Sequence, residues 1–521
     1  MQELIEEAIT RKSKAVLRRQ RIDHANAHKN AERYGKRTGL LAGAPLTNDP
    51  IWWDFHPHFD PKYCIAHARY ISRVIWKRLQ ADLYEPIPAI QFDVPKPDGS
   101  SRQVMAFAIP DSAVANVVHR KITRRNLNQF SSYSFAYRPD KNVFDAILYL
   151  NRSLGNHKSY IIQYDFSKYF DTISHSYLEK VLFDKKTFLL SASEKNAINA
   201  FLTHAYCHVK TYKNNVFDVR EAGVPQGSSL SLFLSNAAAH ELDLCLERQN
   251  GSFVRFADDV VAVTHSYRDA LAVASQFRIH CEKAGLLINY AKSPGILLFG
   301  GGPDRDRRDF TIDIDDGSEL RTDDFIDYLG HRIDASGIGL PAKSIKRIKR
   351  QISEIIYKHL FLHRRGIGGA FDSGRVGPGF FDWDLVTCLN EIRRYMYGGL
   401  RENHITGFLS EDIRPPFIRG LMAFFPLSTE VAQFKQLDGW LLSVIRRAQR
   451  ERVRVLAGFG HHVDRLTKMQ IVSGSWYTYA ALDNEVVLPS FVRGWRTARK
   501  YYLRYGLTGI KPPSYYSLIN S

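Results

Sequence analysis

Three aspartates in this sequence stand where short apolar runs stop. In Tyr160-Ile-Ile-Gln-Tyr-Asp165-Phe-Ser-Lys-Tyr-Phe170-Asp171 a β-like run delivers Asp165 to its end, and a helix is expected soon after. In Phe253-Val-Arg-Phe-Ala-Asp258-Asp259-Val-Val-Ala-Val263 two apolar runs flank an acidic pair, the pattern of a hairpin with carboxylates at its tip. Carboxylates gathered in one cleft repel one another and lose solvation, so they need a compensating cation. Mg²⁺ suits them, because it takes a few carboxylates together with phosphate oxygens; Mn²⁺ is a substitute. Two such ions would clamp the attacking and leaving oxygens of an in-line phosphoryl transfer, here attack by a 3′-hydroxyl on the α-phosphate of a nucleoside triphosphate. An acidic pair alone says little: Asp315-Asp316-Gly317 and Asp323-Asp324 read as solvated turns. Asp258-Asp259 differ because four apolar residues follow at once, which puts the pair at the mouth of a core.

The elements that must hold these carboxylates show as alternating patterns. From about residue 60 to 340, β-like runs such as 161–164 alternate with helical stretches such as 176–182, which argues for an α/β or α+β region around a central sheet. After Pro341 the pattern turns helical. Ile345, Ile348, Ile352, Ile355 and Ile356 form one apolar stripe, with Lys346, Arg347, Lys349 and Arg350 largely on the other face. Further helices are expected near 384–397 and 436–456. Between them Gly366, Gly368, Gly369, Gly374, Gly377 and Gly379 crowd together without phosphate-loop spacing, which reads as a flexible connector.

Length and charge set the wider frame. The 521 residues suffice for three modules, and the net charge of +18 suits a protein that sits on a polyanion. Residues 11–37 carry ten bases and two acids, and residues 441–521 thirteen bases and four acids, so two ends hold nearly all the surplus. The middle is an almost neutral working centre. Five scattered cysteines without a CxxC pair argue against disulfides and a zinc module, and fit a reducing cytosol. The start, MQELIEEAIT, lacks a signal-peptide pattern, and no apolar run is long enough to cross a membrane.

Read in order, the motifs resemble a prokaryotic reverse transcriptase. Asp165-x-x-x-Tyr-Phe170-Asp171, Gly223-Val-Pro-Gln226-Gly227 and Ala257-Asp258-Asp259 look like the palm motifs A, B and C. Lys96-Pro-Asp-Gly-Ser-Ser-Arg102 resembles the fingers segment of group II intron and retron enzymes, and Ser134-Phe-Ala-Tyr-Arg138-Pro139 the next block. Gly285-Leu-Leu-Ile-Asn289-Tyr-Ala-Lys292 resembles motif D, and Tyr328-Leu-Gly-His331 motif E. The likeness covers roughly residues 85–335. It implies catalytic and metal-binding roles for Asp165, Asp258 and Asp259, with the backbone carbonyl of Phe166 as a further metal ligand. It also implies nucleotide-binding roles for Lys96, Arg102, Phe170, Gln226, Gly227 and Lys292. Lys96 and Arg102 would bracket a turn over the triphosphate, and Lys292 would donate a proton to the leaving pyrophosphate. The aromatic at Phe170 would lie against C2′ and leave a 2′-hydroxyl unpaired, favouring deoxynucleotides.

The resemblance implies an α+β right-hand polymerase fold, with fingers and a palm of antiparallel sheet followed by an α-helical thumb and a helical C-terminal region. The expected domains are a basic helical extension (1–60), fingers and palm (61–340), a thumb (341–457) and a basic aromatic tail (458–521). Lys346, Arg347, Arg350, Arg446, Arg447, Arg496 and Lys500 are expected to meet nucleic-acid phosphates. The tail rings Trp476, Tyr477, Tyr479, Trp495, Tyr501, Tyr502, Tyr505, Tyr515 and Tyr516 either stack on unpaired bases or simply pack a helical tail. Motif B carries Leu232 where group II enzymes usually show Pro, the retron Val-Thr-Gly is not found, and no Cys/His endonuclease module is seen. The chain therefore looks most like the unknown-group, defence-associated (antiphage, abortive-infection-like) reverse transcriptases of the bacterial cytoplasm. Such an enzyme would make cDNA from an associated noncoding RNA template with two Mg²⁺ ions and dNTPs, with room for a homo-oligomer and no membrane partner. The alternatives are a group II intron or other mobile-element-derived reverse transcriptase, or a non-catalytic RNA-binding scaffold.

Overall fold

The structure, a computed structural model, describes residues 1–38, 48–95, 99, 101–155, 158–185, 187–291, 293–300, 322–362, 382–477 and 486–512. Lys96, Lys292, the glycine-rich stretch 366–379, the Asp315-Asp316 pair and Tyr479, Tyr515 and Tyr516 lie outside the described residues. The chain divides into two compact units, 1–24 with 47–324 and 25–46 with 325–521.

In the first unit the strands are β1 (Ala89–Pro95), β2 (Ser101–Ala106), β3 (Ser159–Tyr164), β4 (Phe166–Ser167), β5 (Ala205–His208), β6 (Asp218–Val219), β7 (Ser252–Phe256), β8 (Asp259–Thr264), β9 (Leu287–Ile288), β10 (Gly295–Phe299) and β11 (Thr322–Asp323). They form a four-stranded sheet in the order β2-β1-β5-β6, a five-stranded sheet β11-β10-β3-β8-β7 and a small pair β4-β9. Pairing is antiparallel throughout except for β1-β5 and β10-β11, which run parallel. Asp323 departs from the solvated turn expected of it. It lies on an edge strand, paired with Phe299.

The five-stranded sheet is apolar because both faces are covered. Ile161 and Ile162 on β3 and Val260 to Val263 on β8 are buried, and the helix Tyr267–Ala284 packs on both strands. That helix starts with Ser266, whose hydroxyl accepts the Asp269 N–H, and ends on Gly285 with positive φ. The helix Leu230–Ala238 is buried almost throughout, with Leu230, Phe233, Leu234 and Ala237 in the core. The long helix Gln2–Thr38 agrees with the expected basic helix, and its first turns place Ile5, Ala8 and Ile9 in the core of the first unit.

The second unit opens with an antiparallel meander of β12 (Phe325–Tyr328), β13 (His331–Asp334) and β14 (Gly337–Gly339). The division falls after Asp324 rather than near residue 340 because β14 is tied to residues 429–433. Thr429 N–H donates to the Ile338 carbonyl (2.7 Å), and Leu340 N–H to the Gln433 side chain (2.7 Å). Helices Ala342–Leu360, Trp383–Tyr397, Glu402–Glu411, Val431–Gly458 and Phe491–Tyr505 complete it. Residues beyond 458, set apart by composition, pack with the helices before them: Phe491–Tyr505 contacts Trp383–Tyr397, Glu402–Glu411 and Val431–Gly458. Trp495, Tyr501 and Tyr477 are buried. Trp495 donates to the Ser428 carbonyl (3.0 Å). For these rings the packing alternative is the one observed.

Candidate active site

β3 and β8 are neighbours in the sheet, with Tyr164 opposite Val260, so Asp165 and Asp259 leave the same end of adjacent strands. β7 and β8 are joined by two residues, Ala257 and Asp258, with Phe256 opposite Asp259. Ala257 takes φ +62°, as a two-residue hairpin turn demands. The three aspartates expected from the sequence therefore meet at one sheet end, and their charges act on one another. Burial pushes the Asp258 carboxyl up, and the Asp165 charge adds to it. The Asp259 carboxyl is pushed up to about 7, first by burial and then by Asp258 and Asp165.

Cations moderate this. Arg102 on β2 and Arg255 on β7 both favour the charged form of Asp258. Arg102 was expected over a triphosphate, and the strand that bears it reaches the site because Met105 N–H donates to the Gln226 carbonyl (2.7 Å). A Cβ at Gly227 (φ +122°) would collide with the Met105 carbonyl, so glycine permits this approach.

Asp165 is also held through its backbone. Its N–H donates to Ser293 Oγ (2.9 Å), and its carbonyl accepts the Asn289 N–H (2.8 Å). Phe166 on β4 pairs with Ile288 on β9, so the segment resembling motif D docks directly on motif A. After β4, Lys168 turns the chain with φ +49°, and the short helix Tyr169–Thr172 presents Phe170 half-buried. Tyr169 is buried, donates to the Ser235 carbonyl (2.8 Å) and packs edge-on against Phe170. Gln226 donates to Asp171 Oδ2 (3.0 Å).

Sequence reading missed the group that fixes the hairpin. Arg255 is buried, and its guanidinium meets Asp243 with both nitrogens of one edge, Nε to Oδ1 at 2.7 Å and Nη2 to Oδ2 at 2.6 Å. It also donates to Asn236 Oδ1 (2.9 Å), Ser134 Oγ (2.7 Å) and the carbonyl of Ala257 (3.1 Å). One side chain so joins the block at 134, the end of motif B and the aspartate turn. A charge inside an otherwise apolar strand was the available signal.

Among the described residues no three His, Cys, Asp or Glu side chains form a ready-made metal cage. Mg²⁺ seldom uses one; it takes one or two carboxylates and completes its shell with water and phosphate oxygens. Acid-only donors, two of them raised first by burial and then by neighbouring carboxylates, fit such an ion.

Residues 94–333 match the family described as "Reverse transcriptase (RNA-dependent DNA polymerase)". They form a reverse transcriptase domain. Protein YkfC of Escherichia coli K12 is 26% identical over 183 residues, 34% of this chain and 45% of that protein. The COX1/OXI3 intron 2 protein of Saccharomyces cerevisiae is 25% identical over 173 residues, 33% of this chain and 19% of that protein. The chain thus spans less than half the length of these curated relatives. Solved telomerases are similar at 12% identity: that of Candida tropicalis (TM-score 0.37, 53% of this chain and 60% of that one) and that of Candida albicans with a telomeric RNA fragment (TM-score 0.38, 81% and 68%).

Outside the reverse transcriptase domain, Lys346, Arg350, Arg446, Arg447 and Arg496 are exposed and Arg347 is half-buried. Arg350 pairs with Glu354 (3.4 Å). Lys500 is engaged within the fold, donating to the Phe408 carbonyl (2.7 Å) and pairing with Asp412. No helix among the described residues is long and apolar enough to cross a membrane.

Proposed function

We propose that the protein is an RNA-directed DNA polymerase that copies an associated noncoding RNA into cDNA by two-metal nucleotidyl transfer. The observation that carries this reading is the convergence of Asp165, Asp258 and Asp259 at the ends of adjacent strands, with two carboxyls raised by burial and mutual repulsion. A scaffold without chemistry has no use for charges held at that expense. Bound there, Mg²⁺ would activate the primer 3′-hydroxyl and neutralise the triphosphate. The chain's own part is to hold the carboxylates in register, to set Arg102 beside them and to present Phe170 and Gln226 to the incoming nucleotide. The exposed bases of the C-terminal helices supply phosphate contacts for template and product.

The biological setting proposed is bacterial antiphage defence in the cytoplasm, on the resemblance of the ordered motifs to the defence-associated reverse transcriptases. A second reading, an intron-derived or other mobile-element enzyme, draws on the similarity to the yeast intron 2 protein. Sequencing the RNA that copurifies with the protein separates the two. One short structured transcript is expected, and intron RNA would favour the second. Loss of phage protection on deleting the gene checks the defence role; unchanged plating would remove it.

A further inference from the structure

The turn Gly223–Gln226 grips the segment that carries Phe170 at three points. Gly223 N–H donates to the Ile173 carbonyl (2.7 Å), Val224 N–H to the Phe170 carbonyl (2.6 Å), and Gln226 Nε2 to Asp171 Oδ2 (3.0 Å). The far side of the turn is pinned too, since His175 Nε2 bonds the Gly223 carbonyl (2.8 Å). Gly223 has φ +75°, and a Cβ there would stand 2.5 Å from the Phe170 carbonyl oxygen and 2.6 Å from that of Asp171. Both obstacles are backbone, so they cannot rotate away as a flexible side chain would. Phe170 itself is half-buried and braced on one side by Tyr169 (ring centroids 5.7 Å).

We infer that Gly223 and Asp171 are positioning residues for sugar selection: they hold the Phe170 ring where it bars a 2′-hydroxyl, and neither need touch the nucleotide. This inference rests on the polymerase reading above. A ring excludes a hydroxyl only while its backbone is fixed to within a fraction of an ångström. Here that fixing comes from a second loop whose backbone lies directly against the Phe170–Asp171 backbone. Adding a methyl at residue 223 pushes the Phe170–Asp171 carbonyls away and releases the ring, while removing the Asp171 carboxylate frees the turn at its other end.

The test is to measure kcat/KM for a dNTP and for the matching NTP on one primed RNA template with Mg²⁺, using wild type, Gly223→Ala, Asp171→Ala and, as a reference, Phe170→Ala. Expected is a fall of about tenfold in the dNTP-over-NTP preference for Gly223→Ala and Asp171→Ala, in the same direction as Phe170→Ala. A variant weakened only in its fold loses both activities alike, so the ratio separates the two cases. Should Gly223→Ala fold poorly, Asp171→Ala alone decides. An unchanged ratio in the folded variants, with Phe170→Ala shifted, overturns the inference. Absence of dNTP incorporation by wild type would instead strike at the polymerase reading itself.

Discussion

Arg255 holds the turn on which two candidate catalytic carboxylates stand, and it does so with its whole guanidinium. Bidentate pairing to Asp243, two side-chain acceptors and the Ala257 carbonyl leave the head no freedom to relax. Lysine keeps the charge but cannot reproduce a planar fork. Arg255→Lys is expected to lower kcat for incorporation by about tenfold or more while the nucleotide KM moves little, because the turn bears the proposed metal ligands rather than base contacts. Equal kcat in a folded variant, measured by steady-state extension, would contradict this. Asp243→Ala takes the bidentate carboxylate from the buried Arg255 guanidinium and should cost about 3–5 kcal/mol of stability, read by denaturant titration. Another residue reports on protonation. His280 is buried in the helix Tyr267–Ala284 against Tyr177, and burial lowers its pKa to about 4. The unfolded ring takes a proton near the ordinary value of about 6.5, so between those pH values the unfolded chain binds more protons and this residue's contribution to stability falls as pH falls. His280→Phe should therefore gain on wild type as pH drops from about 7 to 4, in paired thermal melts. A pH-independent difference would remove the assignment.

At the level of elements, patterns of period two and sharp polarity changes made the centre legible. The strand at 159–164 and the hairpin at 252–264 were visible because each apolar run ends on acid, and the helices near 384–397 and 436–456 because their apolar stripes recur at helical spacing. What escaped was pairing across the chain. Nothing local says that Ser293 and Asn289 hold the Asp165 backbone, that Met105 bonds Gln226, or that β14 belongs with residues 428–433 rather than with the palm. The tail rings left two readings open for a related reason, since an amphipathic helix rich in Trp, Tyr and Arg has the same composition whether it stacks on bases or packs a core. In the second unit Arg452 illustrates such a hidden tie. It is buried, bonds Asp382 and Asp384 at 2.8 Å each, and donates to the Leu360 carbonyl (2.9 Å), joining three helical segments. Arg452→Ala should destabilise the second unit by about 3–5 kcal/mol, whereas exposed Arg454→Ala should be nearly silent. Denaturant melts of the two variants check the contrast.

Across the whole molecule, the surplus of positive charge has a division of labour. Residues 94–333, which match the reverse transcriptase family, carry the clustered Asp165, Asp258 and Asp259, while the basic excess lies in the N-terminal helix and beyond residue 441. Neutralising Arg446, Arg447 and Arg496 together should weaken RNA binding at moderate salt and flatten its salt dependence by up to about three phosphate contacts, with little change in stability. In the function proposed above, Asp165, Asp258 and Asp259 carry nucleotidyl transfer onto an RNA-templated primer. Its most direct test is extension of such a primer with labelled dNTPs and Mg²⁺, comparing wild type with Asp165→Asn and Asp258→Asn at matched folded concentration. Incorporation by wild type and a loss of about a thousandfold or more in each variant are expected. Undiminished incorporation by either variant, or none by wild type under any priming condition, would contradict that function.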